Sequence, residues 1–171
     1  MPNLVILSHV HKALYDSIIR YFMEARQATF DDLYEVAEMY EEGLIELGVL
    51  RINKDSIMQE VITSYYQAPC FLLEDCGSIK GIAGLTISRS SHNGVASVTD
   101  YMFYIQPEYR NLSNLGVLVK LTKTFAKENA MPLKLDLIVD NDLKRKTRLL
   151  EMHGLNIRYV SGVYNEEVIN G

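Results

Sequence analysis

The chain has 171 residues, a formal net charge of −5, 48% hydrophobic and 23% charged residues. That length suits one domain with a real core, and the composition is that of an ordinary soluble protein. The negative balance argues against a nucleic-acid partner, which calls for a basic face, and weakly favours cationic partners such as amines. No run approaches the ~18 apolar residues of a membrane span. Met1 to Val10 lacks the basic start of a secretory leader. The two cysteines, Cys70 and Cys76, make neither a metal-ligand spacing nor a disulfide framework. A cytoplasmic, reducing home is the simplest expectation.

In chain order, Leu4 to Leu7 reads as a short strand and Lys12 to Phe22 as a helix with Leu14, Ile18 and Phe22 four apart. His9 and His11 alternate as ligands on one strand face would, but a pair without a third ligand reads as structural, so no metal is expected. Met23 to Ala28 reads as a strand. Thr29 is placed as an N-cap, with Asp31 and Asp32 in the first turn. The stripe Leu33, Val36, Ala37, Tyr40, Leu44 and Leu47 predicts an amphipathic helix that Gly48 ends. Its other face carries Glu35, Glu38, Glu41, Glu42 and Glu46, a solvated face in the plainest reading. A second helix is predicted from Ser56 to Tyr66, opened by a Ser56–Gln59 capping box and stopped by Pro69.

Three strands follow: Cys70 to Asp75, Ile79 to Arg89 after a turn at Cys76 to Ser78, and Val95 to Ile105 after a loop containing Asn93-Gly94. The last strand runs into Pro107, with Arg110 three residues on. Asn111 to Gly116 reads as a short small-and-polar loop, after which Leu118, Leu121 and Phe125 mark a helix backed by Lys120, Lys123 and Lys127. Strand, tight loop and helix start together make an anion cradle. The first N–H groups of a helix lack internal partners, and the helix dipole favours negative charge there. A strand from Leu133 to Val139, a helix from Leu143 to His153 closed by Gly154, and a strand from Leu155 to Tyr164 complete the chain. Helices, an antiparallel meander and then strand-helix alternation give an α+β order.

The run Ile105-x-Pro107-Glu108-Tyr109-Arg110 before a helix resembles the GNAT superfamily, the acyl-CoA-dependent N-acetyltransferases. So do Ala28-Thr29-x-x-Asp32 and Arg148 to Leu155, so the resemblance spans Met23 to Tyr164. It implies a mixed, mainly antiparallel central sheet flanked by helices over residues 23–164. Residues 1–22 then form an N-terminal extension that packs on the core or on a partner copy, which leaves a homodimer open, and residues 165–171 form a frayed tail. The resemblance further implies acetyl-CoA as co-substrate. Its pyrophosphate would rest on the backbone of Arg110, Asn111, Leu112, Ser113, Asn114, Leu115 and Gly116, and its pantetheine arm along Phe103, Tyr104 and Ile105. The acceptor would be an amine on a small molecule or a protein, framed by the first two helices.

The chain departs from the family pattern at three positions. Ser113 and Leu115 stand where glycines are expected, and Leu150 stands where a tyrosine often acts as general acid. Asp100, five residues before Ile105 on the strand that enters the cradle, is the candidate general base. Tyr104 is the candidate acid, with Tyr101 and Tyr164 as nearby alternatives. Lys144, Arg145, Lys146 and Arg148 form the only basic cluster, read first as a solvated face. The function expected is N-acetyl transfer from acetyl-CoA to an amine. The alternative is a GNAT-fold binding or interaction protein without turnover.

Overall fold

The computed structural model describes residues 23–135 together with Arg148, Glu151, Met152, Gly154 and Leu155. The readings for the 1–22 extension with His9 and His11, for Lys144 to Lys146, for Leu150 and His153, and for Tyr164 and the tail lie outside the described residues. The chain divides into two compact units, Met1–Ile138 and Val139–Gly171. In the second unit Arg148, Glu151 and Met152 are helical. Gly154 follows with φ 73° and donates its N–H to Glu151 O at 2.8 Å, the helix stop that the sequence predicts.

The first unit is built on a sheet in the order β1 (Glu24–Gln27), β2 (Cys70–Asp75), β3 (Ser78–Arg89), β4 (Ala96–Ile105) and β5 (Leu133–Lys134). The first four pair antiparallel, and β5 joins β4 in parallel. Three α-helices are described here: α1 (Leu33–Glu46), α2 (Lys54–Tyr65) and α3 (Leu112–Glu128). This is the α+β fold expected from the sequence, a mainly antiparallel sheet flanked by helices.

Period-two alternation along the strands splits the core between the two faces. Leu72, Ile82 and Met102 pack with Val36, Tyr40, Ile57 and Val61 of α1 and α2. Leu73, Ala83, Leu85 and Ile105 pack with Leu118 and Ala126 of α3. Leu72, Leu73, Ile82, Leu85 and Leu118 are fully buried, each worth about 1.5–3 kcal/mol of transfer free energy. The β2–β3 connection is a two-residue turn with φ 51° at Cys76 and 79° at Gly77, the left-handed pair that a tight hairpin demands.

Two helix starts differ from the sequence reading. Helix α2 begins at Lys54, because Asn53 is its cap and the Asn53 side chain accepts from Ser56 N–H. Ser56 lies inside the first turn. Helix α3 begins at Leu112 rather than after Gly116, because Asn111 caps it and accepts from Asn114 N–H at 2.9 Å. A side-chain acceptor at the N-cap satisfies a donor that would otherwise be orphaned, so each helix starts at the earlier asparagine.

Candidate active site

Strand β4 carries an extra residue. Met102 pairs with Gly84 and Asp100 with Leu85, so Tyr101 has no partner on β3. Such a bulge bends the strand and puts two consecutive side chains on one face. Tyr101 and Met102 both pack towards α1 and α2. Beyond the bulge, Phe103, Tyr104 and Ile105 pair with Ala83, Ile82 and Gly81 of β3. On the opposite side β4 pairs with β5 at Val98 and Thr99. The ladder described on that side runs as far as Thr99. This is the edge expected to receive the pantetheine arm.

The end of β4 leads into the cradle through a short 3-10 turn, Pro107–Tyr109. Arg110 N–H is used within that turn, on Pro107 O, and Leu115 N–H bonds Asn111 O. Asn114 N–H is taken by the Asn111 cap. Asn114 itself is buried, and its amide donates to Tyr109 O at 2.8 Å and to Met23 Sδ at 2.9 Å. Gly116, the fifth helical residue, has its N–H in the helix ladder. Among the described residues the N–H groups of Leu112 and Ser113 have no partner, at the start of a 17-residue helix whose first turn has no acidic side chain. Both residues are exposed. A phosphate fits this end by hydrogen bonding and by the sign of the helix dipole.

The Arg110 side chain is a brace. Its Nε donates to Ile105 O at 2.7 Å and its Nη1 to Glu46 Oε1 at 2.6 Å, while Nη2 bonds Glu46 Oε2. The guanidinium also lies 5.5 Å from the centre of the Tyr104 ring. The end of β4 is thereby tied to the last turn of α1. Burial, then the carboxylates of Glu46 and Glu42, raise the Tyr104 phenol above its ordinary pKa. Gly43 of α1 lets this side of the sheet come close. A Cβ there would meet Met102 at 3.1 Å and Tyr104 at 3.2 Å.

Tyr101 packs on the α1 and α2 side of the sheet. Its hydroxyl meets the Cys70 thiol, and burial followed by that thiol drives the phenol far above its normal range. Burial pushes the Cys70 thiol up to about 12. The Tyr101 ring also lies 5.6 Å from that of Tyr40, whose hydroxyl donates to Glu60 Oε2 at 2.9 Å. Burial first, then Glu60 and more weakly Asp100, keeps the Tyr40 phenol protonated. The structure therefore adds Glu46, Tyr40 and Glu60 to the neighbourhood of the predicted residues. Asn111 and Asn114 carried a readable cap signal, whereas the partners of Glu46 and Glu60 are 64 and 20 residues away and leave no local trace. Among the described residues no group of three or more His, Cys, Asp or Glu could hold a metal, and no helix is long and apolar enough to cross a membrane.

No protein-family model matches the chain, and no curated protein matches it in sequence. Solved structures do match. A predicted acetyltransferase with acetyl-CoA from Clostridium acetobutylicum is 16% identical at a TM-score of 0.64, over 88% of this chain and 100% of that one. The aminoglycoside antibiotic 6'-N-acetyltransferase AAC(6')-Ih from Acinetobacter baumannii is 18% identical at 0.61, over 84% and 99%. AAC(6')-Iy in complex with the bisubstrate analogue CoA-S-monomethyl-acetylneamine is 14% identical at 0.66, over 85% and 98%. The chain has the GNAT fold.

Proposed function

We propose that the chain is an N-acetyltransferase that takes acetyl-CoA and an amine of a small molecule or protein. The observation that carries this reading is the bulged end of β4 leading through the Arg110 turn into a helix start where, among the described residues, the N–H groups of Leu112 and Ser113 have no partner. The GNAT-fold neighbours include structures with acetyl-CoA or a CoA conjugate, which supports acetyl-CoA as the ligand here. The co-substrate supplies a thioester-activated acetyl group. Phe103, Tyr104 and Ile105 offer backbone groups along its arm. The segment from Arg110 to Gly116 provides the anion end, with Leu112 and Ser113 as its donors and Asn111, Asn114 and Leu115 holding the turn in shape.

Asp100 is the proposed base for the ammonium. It lies next to the bulge, opposite Leu85. Tyr104 is the proposed proton donor, and its raised pKa keeps it protonated at neutral pH. Tyr101 packs into the core beside Tyr40, which favours Tyr104 over Tyr101 for this role.

A thermal-shift titration with acetyl-CoA tests the binding, because a ligand of the native state raises the melting temperature. Release of the CoA thiol over a panel of amines tests turnover. Millimolar acetyl-CoA without any shift removes the reading. Binding without turnover on a broad panel favours a GNAT-fold binding protein instead, the reading that Ser113 and Leu115 support as departures from glycine.

A further inference from the structure

The 3-10 turn between β4 and α3 is held at both of its caps by α1. Gln106 and Arg110 flank Pro107–Tyr109 as its N-cap and C-cap. Gln106 Nε2 donates to Glu42 Oε2 at 3.2 Å. Arg110 Nη1 donates to Glu46 Oε1 at 2.6 Å, and Nη2 bonds Glu46 Oε2. Glu42 and Glu46 are i and i+4 on α1, so they lie one turn apart on the same side of the helix. Their partners are likewise i and i+4, and a single turn of α1 spans the whole 3-10 turn.

Glu46 is an odd choice for α1 itself. It is the last residue of the helix, whose final turn has no basic side chain, and a carboxylate there opposes the helix dipole. Arg110 brings the missing cation from 64 residues away. The same guanidinium reaches back to Ile105 O through Nε at 2.7 Å. Two other glutamates of this face have different tasks. Glu41 pairs with Lys54 at 2.9 Å, and Glu35 accepts from Ile79 N–H.

The moored turn sets the start of α3. Tyr109 O receives the side-chain amides of Asn111 at 3.3 Å and of Asn114 at 2.8 Å. Asn111, the cap of α3, follows Arg110 directly and holds the N–H groups of Asn114 and Leu115. Leu112 and Ser113, between them, take their direction from a loop that α1 restrains.

We propose that Glu42 and Glu46 are positioning residues for the anion-binding end of α3, holding the Gln106–Arg110 turn so that the Leu112 and Ser113 donors are set before a ligand arrives. The inference rests on the acetyl-transfer reading for the identity of the anion, but not for the ordering of the turn. Preset donors bind more tightly than donors that must be ordered on binding. The sign of the effect separates positioning from plain charge. Both carboxylates repel a phosphate, and Glu46 also neutralises Arg110. By charge alone their removal strengthens anion binding. By loss of positioning it weakens it.

Glu42→Ala and Glu46→Ala test this, with the exposed Glu38 changed to alanine as the control. Each removes one charge from α1 and keeps a good helix former. The Arg110–Glu46 pair is partly exposed, so the variants should stay folded. Amide NMR of the full chain without ligand should show the Leu112 and Ser113 resonances moved in Glu46→Ala. The hydrogen-exchange protection of Asn114 and Leu115 should fall in the same variant. Calorimetry should show acetyl-CoA bound about tenfold more weakly by Glu46→Ala and about threefold more weakly by Glu42→Ala. Glu38→Ala should match the wild type in both measurements. Unchanged spectra and protection in Glu46→Ala, tighter acetyl-CoA binding in it, or equal losses in Glu38→Ala would overturn the inference. A wild type that does not bind acetyl-CoA sinks the acetyl-transfer reading, and the ligand-free spectra then decide this inference by themselves. Wild-type binding with Glu46→Ala unaltered in both measurements sinks this inference alone.

Discussion

Gly84 and Tyr101 share one volume. A Cβ built on Gly84 would lie 2.2 Å from the Cζ of the Tyr101 ring. The bulge in β4 throws this ring across β3, and only a residue without a side chain lets it reach Cys70 on the strand beyond. Gly84 is used here for space, not for an unusual φ. Gly84→Ala should cost about 1–3 kcal/mol in urea unfolding, the usual penalty for overpacking. In a Tyr101→Ala background the same change should cost less than about 0.5 kcal/mol, because the obstruction is gone. Equal costs in both backgrounds would show that the ring does not set the constraint.

The two thiols should behave as opposites. Cys76 stands exposed in the β2–β3 turn, and Cys70 is buried. Burial also keeps Cys70 protonated, with its pKa pushed up to about 12. The thiolate is the reactive form. A disulfide reagent on the native protein at neutral pH should therefore modify one cysteine promptly and the second only on unfolding. Cys76→Ser should abolish the prompt phase. Two prompt equivalents would refute the buried position of Cys70.

Arg26 joins β1, the approach to α1, and β2 by binding Asp32 at 2.7 Å and Glu74 at 2.6 Å. The Arg26 hydrogen bond, aided by Thr29, holds the Asp32 carboxyl well below the usual carboxylate range. A carboxylate with a lowered folded pKa stabilises the protein above its unfolded pKa of about 3.9. That stabilisation fades as pH falls from about 5 towards 2. Asp32→Asn should lower stability at pH 7 by about 1 kcal/mol, kept small because the Arg26 side chain is 39% exposed and solvent screens the pair. The gap between wild type and variant should narrow on acidification. A gap that widens there would reverse the sign of this account.

The helix start at Asn53 can be tested directly. Asn53→Ala should cost about 1 kcal/mol, the value of a lost N-cap, and Ser56→Ala a few tenths at most. The opposite ranking would restore Ser56 as the cap.

These starts show where the sequence was readable. The periodic stripes of α1 and α3, the β2–β3 turn and the order of strands follow from local chemistry. Asn53 and Ser56 are both good caps three residues apart, and only the backbone path at Asn53 chooses between them. Asn111 posed the same problem, compounded by Gly116, whose small size reads as loop although it is helical. The bulge left no mark, because Tyr101-Met102-Phe103-Tyr104-Ile105 is apolar at every position and hides a change of phase. Arg110 was legible as a site residue, but its union with Glu46 depends on α1 docking against β4, which no spacing records.

The unpaired Tyr101 gives β4 more length than its ladder needs. Gly84 and Leu85 are consecutive in β3, and their partners Met102 and Asp100 would become consecutive too if Tyr101 were absent. A chain one residue shorter thus has a straight β4 within reach, with each of its β3 pairs kept. What it would lose lies outside the ladder: the ring over Gly84, the contact with Cys70, and the bend that turns the 100–105 edge. The protein carries one residue in excess of its own pairing rules, and it is that surplus which sets Tyr101 and Met102 side by side against the same two helices.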